Sequence, residues 1–282
     1  MKKIGILHPG EMGISIAASA INCGHLVYWA SKGRSYKTRL RAEKHNLFEI
    51  NELADLCKNS EIIFSVCPPH AAEDVAKSVI GHGFKGYYLD ANAISPQRTI
   101  KIKQLMESND IQFIDGGIIG GPAWNPKETI LYLSGKDAKI ITNCFSNGPL
   151  ETKIIGDEPG KASALKMCFA AYSKGSTALL AMILAAAVSL DVQDELYQQW
   201  DLGNAEFVKQ VEDRVTRVTA KAWRFEGEMR EIAATFHDTG LPSGFHEAAA
   251  ETYHRLADFK DASQVPEVDE VLTALLKEDQ TD

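Results

Sequence analysis

No two cysteines in this chain have redox or metal-ligand spacing. Cys23, Cys57, Cys67, Cys144 and Cys168 are scattered without a C-x-x-C step, and their odd number argues against a disulfide framework and for a reducing, cytoplasmic setting. Excess positive charge is missing too. A net charge of −8 counts against a sequence-independent grip on nucleic acid, which needs a basic surface. The N-terminus lacks the basic segment, apolar core and cleavage site of a secretion signal. The most membrane-like run, Gly175 to Leu190, is short for a bilayer and carries Ser176, Thr177 and Ser189, so it reads as a helix buried in protein, with no membrane partner. There is no internal repeat and no low-complexity tract. His237 and His246 lack ligand spacing with other histidines or cysteines, so no metal site is expected.

What is present is enough apolar residue for a sizeable core. The chain has 282 residues, 45% of them hydrophobic, a length that suits one large or two ordinary domains. Its first half alternates short β-branched or aromatic runs with helical patterns, the signature of βαβ units and a parallel sheet. Strands are predicted at Lys3–Leu7, Leu26–Ala30, Glu61–Val66, Gly86–Ala91, Gln112–Asp115, Thr129–Ser134 and Lys153–Ile155. Helices are predicted at Glu11–Cys23, Ser35–Lys44, Glu52–Lys58, His70–Ile80 and Pro96–Ser108. From Pro159 the pattern turns to almost unbroken helix, beginning with Lys161–Leu190. The expected organisation is therefore a doubly wound α/β domain over residues 1–158 and an all-α domain over 159–282. The acidic end, Lys277 to Asp282, has little to pack.

The opening stretch KKIGILHPGEMGISIA resembles a strand, turn and helix for a dinucleotide, with one departure. In G-x-G-x-x-G the first glycine permits a tight bend, the second lets backbone approach pyrophosphate, and the third lets helix pack on strand. Here the register is His8-Pro9-Gly10-Glu11-Met12-Gly13: the last two glycines are kept, the first is histidine, and Pro9 fixes φ beside it. The helix N-terminus still offers amides and a positive dipole end to phosphate. A plain strand-to-helix turn is the alternative. At the end of the second strand, where an acid would read a free ribose 2′-hydroxyl, the stretch YWASKGRSYK has no carboxylate and instead carries Ser31, Lys32, Arg34, Ser35 and Lys37. Cations there suit a 2′-phosphate, so NADP (NADPH) is expected over NAD; a solvated charge run is the bland alternative.

These motifs, with FSVCPP, DANAISP, DGGIIGGP and GKASALKM following in order, resemble the β-hydroxyacid dehydrogenase and 6-phosphogluconate dehydrogenase superfamily. RFEGEMREIAATFHDTGLPSGFHEAAAETY is similar to a phosphogluconate-dehydrogenase-like helical C-terminal domain. The resemblance implies a Rossmann domain and NAD(P)-dependent hydride transfer on a small hydroxyacid or its oxo partner. It makes Gly10, Glu11, Met12, Gly13, Ser31, Lys32, Arg34 and the Val66, Cys67, Pro68 loop cofactor neighbours, with Cys67 read as a small buried hydrophobe rather than a redox thiol. Asn92 stands at the first polar position of the family's Asp-x-Ser-Thr-x-x-Pro element, to bond the nicotinamide ribose or carboxamide, or to cap the next helix, although Ser95 before Pro96 is already a good cap. Gly120 and Gly121 match the glycine pair of the substrate loop, where backbone amides can converge on a carboxylate; Ile119 replaces its serine.

Lys166 occupies the family's catalytic lysine position, which implies a general acid/base. As hydride reaches a carbonyl carbon, charge grows on oxygen, and an ammonium neutralises it; in reverse the neutral amine takes the hydroxyl proton. At helical spacing Ser163, Lys166, Ser173, Lys174 and Thr177 share one side, so Ser163, Ser173 and Lys174 are substrate candidates, with Arg224 for a carboxylate. Arg224, Glu228 and Glu231 can alternatively pair with one another on a helix face. Where relatives commonly have asparagine one turn beyond the lysine, this chain has Ala170. The run Ala178–Val188 is apolar nearly all round, which demands cover on every side and, with relatives burying such helices between subunits, a homodimer. The expected partner is a small carboxylate or carbonyl compound; the rival readings are an imine reductase on the same scaffold and an NADP sensor without turnover.

Overall fold

The computed structural model describes residues 1–277; the predicted acidic end lies, beyond Lys277, outside the described residues. Two compact units divide the chain, Met1–Met167 and Cys168–Asp282. In the first, β1 (Lys3–Ile6), α1 (Glu11–Asn22), β2 (Leu26–Ala30), α2 (Tyr36–Lys44), β3 (Phe48–Ile50), α3 (Leu53–Asn59) and β4 (Ile62–Ser65) make one winding. Then follow α4 (Ala72–Gly81), β5 (Tyr87–Asp90), α5 (Pro96–Glu107), β6 (Gln112–Ile119), β7 (Ile130–Ser134), α6 (Ala138–Thr142) and β8 (Glu151–Gly156). The sheet order is β3-β2-β1-β4-β5-β6-β7-β8, parallel except where β6 meets β7.

Alternation along the strands builds two apolar layers. Ile4, Ile6, Ile62, Phe64 and Leu89 face the layer that holds Ile14, Ala17 and Ile141, whereas Ile63 and Tyr88 face Leu56, Ala76 and Ile102. Between β1 and β4 the winding reverses direction, and a crevice at the carboxyl ends of strands at such a switch point is where this architecture binds ligands. His8–Gly13 and Val66–Pro68 both leave the sheet at that point.

Several elements differ from the sequence reading. β3 was not anticipated because three half-exposed residues carry no periodicity, and α6 is only five residues long. The predicted helix at His70 begins instead as a 3₁₀ turn, Pro69–Ala71. β6 does not stop at Asp115. Glycines usually weaken a strand, but Gly116 and Gly117 pair with Leu133 and Tyr132 and carry the strand on to Ile119.

α7 (Lys161–Ser189) runs through the division between the units. Because it starts at Lys161, it is longer than the stretch that looked too short for a bilayer, and by length and composition it could cross one. Full cover is not what it has: Phe169 is 46% exposed, Tyr172 74%, Leu179 46% and Met182 48%. The second unit continues with α8 (Gln193–Asp201), α9 (Phe207–Val218), α10 (Ala222–Asp238), α11 (Gly244–Arg255) and α12 (Val268–Leu276).

Candidate active site

The turn after β1 keeps two of the three properties of a phosphate-binding turn. A Cβ on Gly13 would lie 2.1 Å from the His8 carbonyl oxygen, so the third glycine is required for α1 to pack on the turn. At Gly10 a Cβ would meet nothing within 4 Å, and Gly10 caps α1 without any side-chain hydrogen bond, which leaves an open approach to the helix amides. His8, in place of the first glycine, makes its bend with a 2.8 Å bond from the Gly10 amide to its own carbonyl. Its Nδ1 is buried without a partner. Burial first, and Arg34 second, lower its pKa to about 4.

Arg34 reaches this turn from the end of β2, donating Nη2 to the Leu7 carbonyl at 3.0 Å, while its Nε is buried without a partner. The remaining basic cluster is less free than the sequence suggests. Lys32 pairs with Glu52 at 2.8 Å, an acid brought in from the start of α3, and Ser31 is only 1% exposed, its carbonyl held by Arg39 Nη2 at 2.9 Å. Orphaned polar atoms on His8 and Arg34, an uncapped helix and an open glycine make this a cradle whose residues fit a dinucleotide phosphate.

Across the switch point, Asn92 neither caps α5 nor stands free. Its Oδ1 accepts the Cys67 amide at 2.6 Å and its Nδ2 donates to Ser65 Oγ at 3.1 Å, so it pins the Val66–Pro68 loop to the end of β4. Ser95 caps α5 through the Arg98 amide. Asp90 is fully buried beside this network, with Oδ2 unpartnered, and burial pushes its carboxyl up to about 7. Burial, with Asp90 next, likewise pushes the Cys67 thiol up to about 12, so it is an inert thiol at neutral pH.

The first turn of α7 docks on β6 through one carboxylate. Asp115 Oδ2 accepts the amides of Gly160 at 2.7 Å, Ala162 at 3.0 Å and Ser163 at 3.1 Å, and the Ser134 hydroxyl at 2.8 Å. The Ser163 hydroxyl donates to Asp115 Oδ1 at 2.6 Å and lies 2.8 Å from Thr99 Oγ1. Next along β6, a Cβ on Gly117 would stand 2.4 Å from the Ala162 carbonyl and 3.3 Å from Lys166 Cβ. The lysine is thus held against the glycine-bearing part of β6. Gly120 has φ +122° and no room for a Cβ, whereas Gly121 is open, its carbonyl accepting Thr129 Oγ1 at 2.7 Å.

Comparison with known proteins identifies the family of the first unit. The profile of the NAD binding domain of 6-phosphogluconate dehydrogenase matches residues 3–145. The chain belongs to this family. It is a member of the β-hydroxyacid dehydrogenase-like superfamily, and residues 187–256 match a domain of unknown function, DUF1932. An uncharacterized 28.5 kDa protein of Methanothermus fervidus is 36% identical over 168 residues, 59% of this chain and 64% of that one. Mitochondrial 3-hydroxyisobutyrate dehydrogenase of Drosophila melanogaster is 23% identical over 59% of this chain and 52% of its own length. Both alignments thus span less than two thirds of the relative. A conserved protein of unknown function, whose structure reveals similarity with 3-hydroxyacid dehydrogenases, superposes with a TM-score of 0.66 at 27% identity, covering 91% of this chain and 97% of that one. An imine reductase from Myxococcus stipitatus in complex with NAD+ shares the fold, with a TM-score of 0.56, 18% identity, and 98% and 100% coverage.

Other predicted site residues in this superfamily member are engaged locally. Ser163 is buried, its hydroxyl taken by Asp115. In the second unit Lys174 pairs with Glu228 at 2.6 Å and lies over the Phe225 ring, so Glu228 is joined to Lys174 and not only to its own helix. The Ser173 carbonyl accepts Arg214 Nη2 at 2.8 Å, and Arg224 lies over the Trp223 ring with its Nε buried and unpartnered. Sequence reasoning missed Arg214 and Asp115; their partners are remote in sequence and leave no local signal. Among the described residues no three His, Cys, Asp or Glu side chains gather to hold a metal ion.

His8 gives the cradle a pH dependence with a definite sign. Its folded pKa, about 4, is below the ordinary 6.5, so the unfolded chain binds the extra proton first. The stabilisation is complete above the ordinary value and is lost as pH falls toward the folded one, by at most about 3 kcal/mol. Urea unfolding at stepped pH is expected to show this loss, and to show less of it in His8→Asn; identical pH profiles would contradict it.

Proposed function

We propose that the protein is an NADP(H)-dependent oxidoreductase that transfers hydride between nicotinamide and a small hydroxyacid or its oxoacid, with Lys166 as general acid/base. The observation that supports this best is the packing of Lys166 against Gly117, on a helix start fixed by Asp115. When bound, the nicotinamide would take hydride in the oxidative direction and give it back in the reductive one. Lys166 Nζ collects the hydroxyl proton or returns it to the carbonyl oxygen. The α1 amides, beside Gly10, Glu11 and Met12, hold pyrophosphate, with Gly13 fixing the packing and Arg34 favouring the 2′-phosphate of NADP over NAD. Asn92, through Cys67, shapes the loop with Val66 and Pro68 beside the ribose.

Gly120 and Gly121 would present backbone to the substrate carboxylate. The Drosophila relative's name makes three-carbon and four-carbon 3-hydroxy acids the first substrates to try. Phe169, Tyr172, Leu179 and Met182 recur at helical spacing on an exposed face of α7, and a second copy of the chain would cover them as a homodimer. Five free thiols suit a cytoplasmic setting.

The direct test is cofactor turnover with a panel of small 3-hydroxy acids, 3-oxo acids, aldehydes and imines. Reduction of NADP+ by a 3-hydroxy acid is expected, with Arg34→Ala raising KM for NADP+ about tenfold more than for NAD+. Turnover of imines alone would favour the imine reductase reading. Tight cofactor binding with every compound inert would favour the sensor.

A further inference from the structure

On the outer side of α1 and α2 lies a groove that meets the cofactor cradle at Glu11. Its volume is about 450 Å³, within the range of small-molecule sites. Lys37, Arg41 and Lys44 line one wall, at spacings of four and three residues on a single face of α2. His45 and Trp124 form the other, stacked with ring centroids 4.8 Å apart and planes 21° apart. Ile14, Leu40 and Pro122 supply apolar surface, and Glu11 is the only carboxylate among the described lining residues.

The charge pattern is not that of an ordinary solvated helix. Neighbouring cations are paired, Lys32 with Glu52 and Arg39 with Glu49, both at 2.8 Å. Lys37, Arg41 and Lys44 have no ion-pair partner among the described residues; Arg41 donates only to the Pro9 carbonyl, at 3.3 Å. Like charges four residues apart on a helix repel. The helix dipole favours Arg41 and Lys44 near the C-terminal turn, but Lys37 stands in the first turn, where a cation is unfavourable. A chain of net charge −8 therefore leaves three cations lining the same groove as a half-exposed indole, without an ion-pair partner among the described residues.

We propose that this groove binds a small planar organic anion, its ring against Trp124 and its anionic group on Arg41 and Lys44. Cations near an aromatic wall match a phosphate or carboxylate carried on a flat ring: the charge finds forked and point donors, and the ring finds a π face. The site adjoins the cradle at Glu11 and through the Arg41 bond to the Pro9 carbonyl, but it does not depend on the oxidoreductase reading, because its ligand need not react.

The test is calorimetric titration of the whole protein with 1-naphthyl phosphate, in the presence of saturating NADP+. One saturable site is expected, weakened about tenfold or more in Lys44→Glu and in Trp124→Ala, with inorganic phosphate and 1-naphthol each binding far more weakly than the combined probe. Absence of binding, or binding unchanged in both variants, would overturn the proposal. So would inorganic phosphate binding as tightly as the probe, or displacement of the probe by NADP+, which would put it in the cradle. Hydride transfer is not read, so a failed dehydrogenase assay and a failed titration are separate results.

Discussion

Lys166→Ala is expected to lower kcat about a thousandfold while changing the dissociation constant for NADPH by no more than about threefold. That loss corresponds to about 4 kcal/mol of transition-state stabilisation, the range of a missing proton donor rather than of a missing binding contact. The expectation rests on position. Lys166 follows Ser163 by one turn, Ser163 is anchored to Asp115, and Gly117 brings β6 against the lysine's own Cβ. Removing the side chain beyond Cβ leaves that anchoring intact, so the fold and the cradle around Gly10 should persist. Stopped-flow hydride transfer and a separate fluorescence titration of NADPH distinguish the two effects. Equal turnover in variant and parent would refute the proton-transfer role, and a parallel collapse of cofactor binding would point to a structural one.

Asp115→Ala is expected to cost about 2–5 kcal/mol of stability, measured as the shift in urea unfolding. Five donors converge on that carboxylate. Some have another partner: the Ala162 amide also reaches Ser134 Oγ at 3.1 Å, and Ser163 Oγ faces Thr99. The amides of Gly160 and Ser163 have no such alternative, and each buried donor left unmade costs about 1–3 kcal/mol. Asp115→Asn should be milder. Burial raises the Asp115 carboxyl above its ordinary value against the opposing pull of Ser163 and Ser134, so its ionised form is the strained one and stability from this group declines as pH rises. A neutral amide removes that desolvation penalty and keeps one acceptor. An alanine variant within about 0.5 kcal/mol of the parent would mean the helix start is held by something else.

Much of the architecture was legible because period and punctuation agree with it. β2 has its predicted bounds, Leu26–Ala30, and Ser95 before Pro96 announces the cap of α5 that is found. Gly10 and Gly13 announce the turn, and the structure gives each a different physical reason. What was illegible depends on remote partners. Lys32 looked available, but Glu52 answers it. Asn92 looked able to cap α5, but Ser95 does so and Asn92 braces the Cys67 amide. Strand β6 looked finished at Asp115, since nothing local tells that Gly116 and Gly117 are squeezed among Leu89, Leu131 and Ala162. Lys174 shared a polar stripe with Lys166, yet its charge is met by Glu228.

Asp115 also bears on how the chain can be dissected. A fragment truncated at Glu158, the natural cut on sequence grounds, would lose Gly160, Ala162 and Ser163 and leave the buried Asp115 carboxyl without four of its five donors. The smallest autonomous nucleotide-binding piece therefore has to borrow the opening of the long helix, so the two halves cannot be exchanged between relatives as cleanly as their separate profiles suggest.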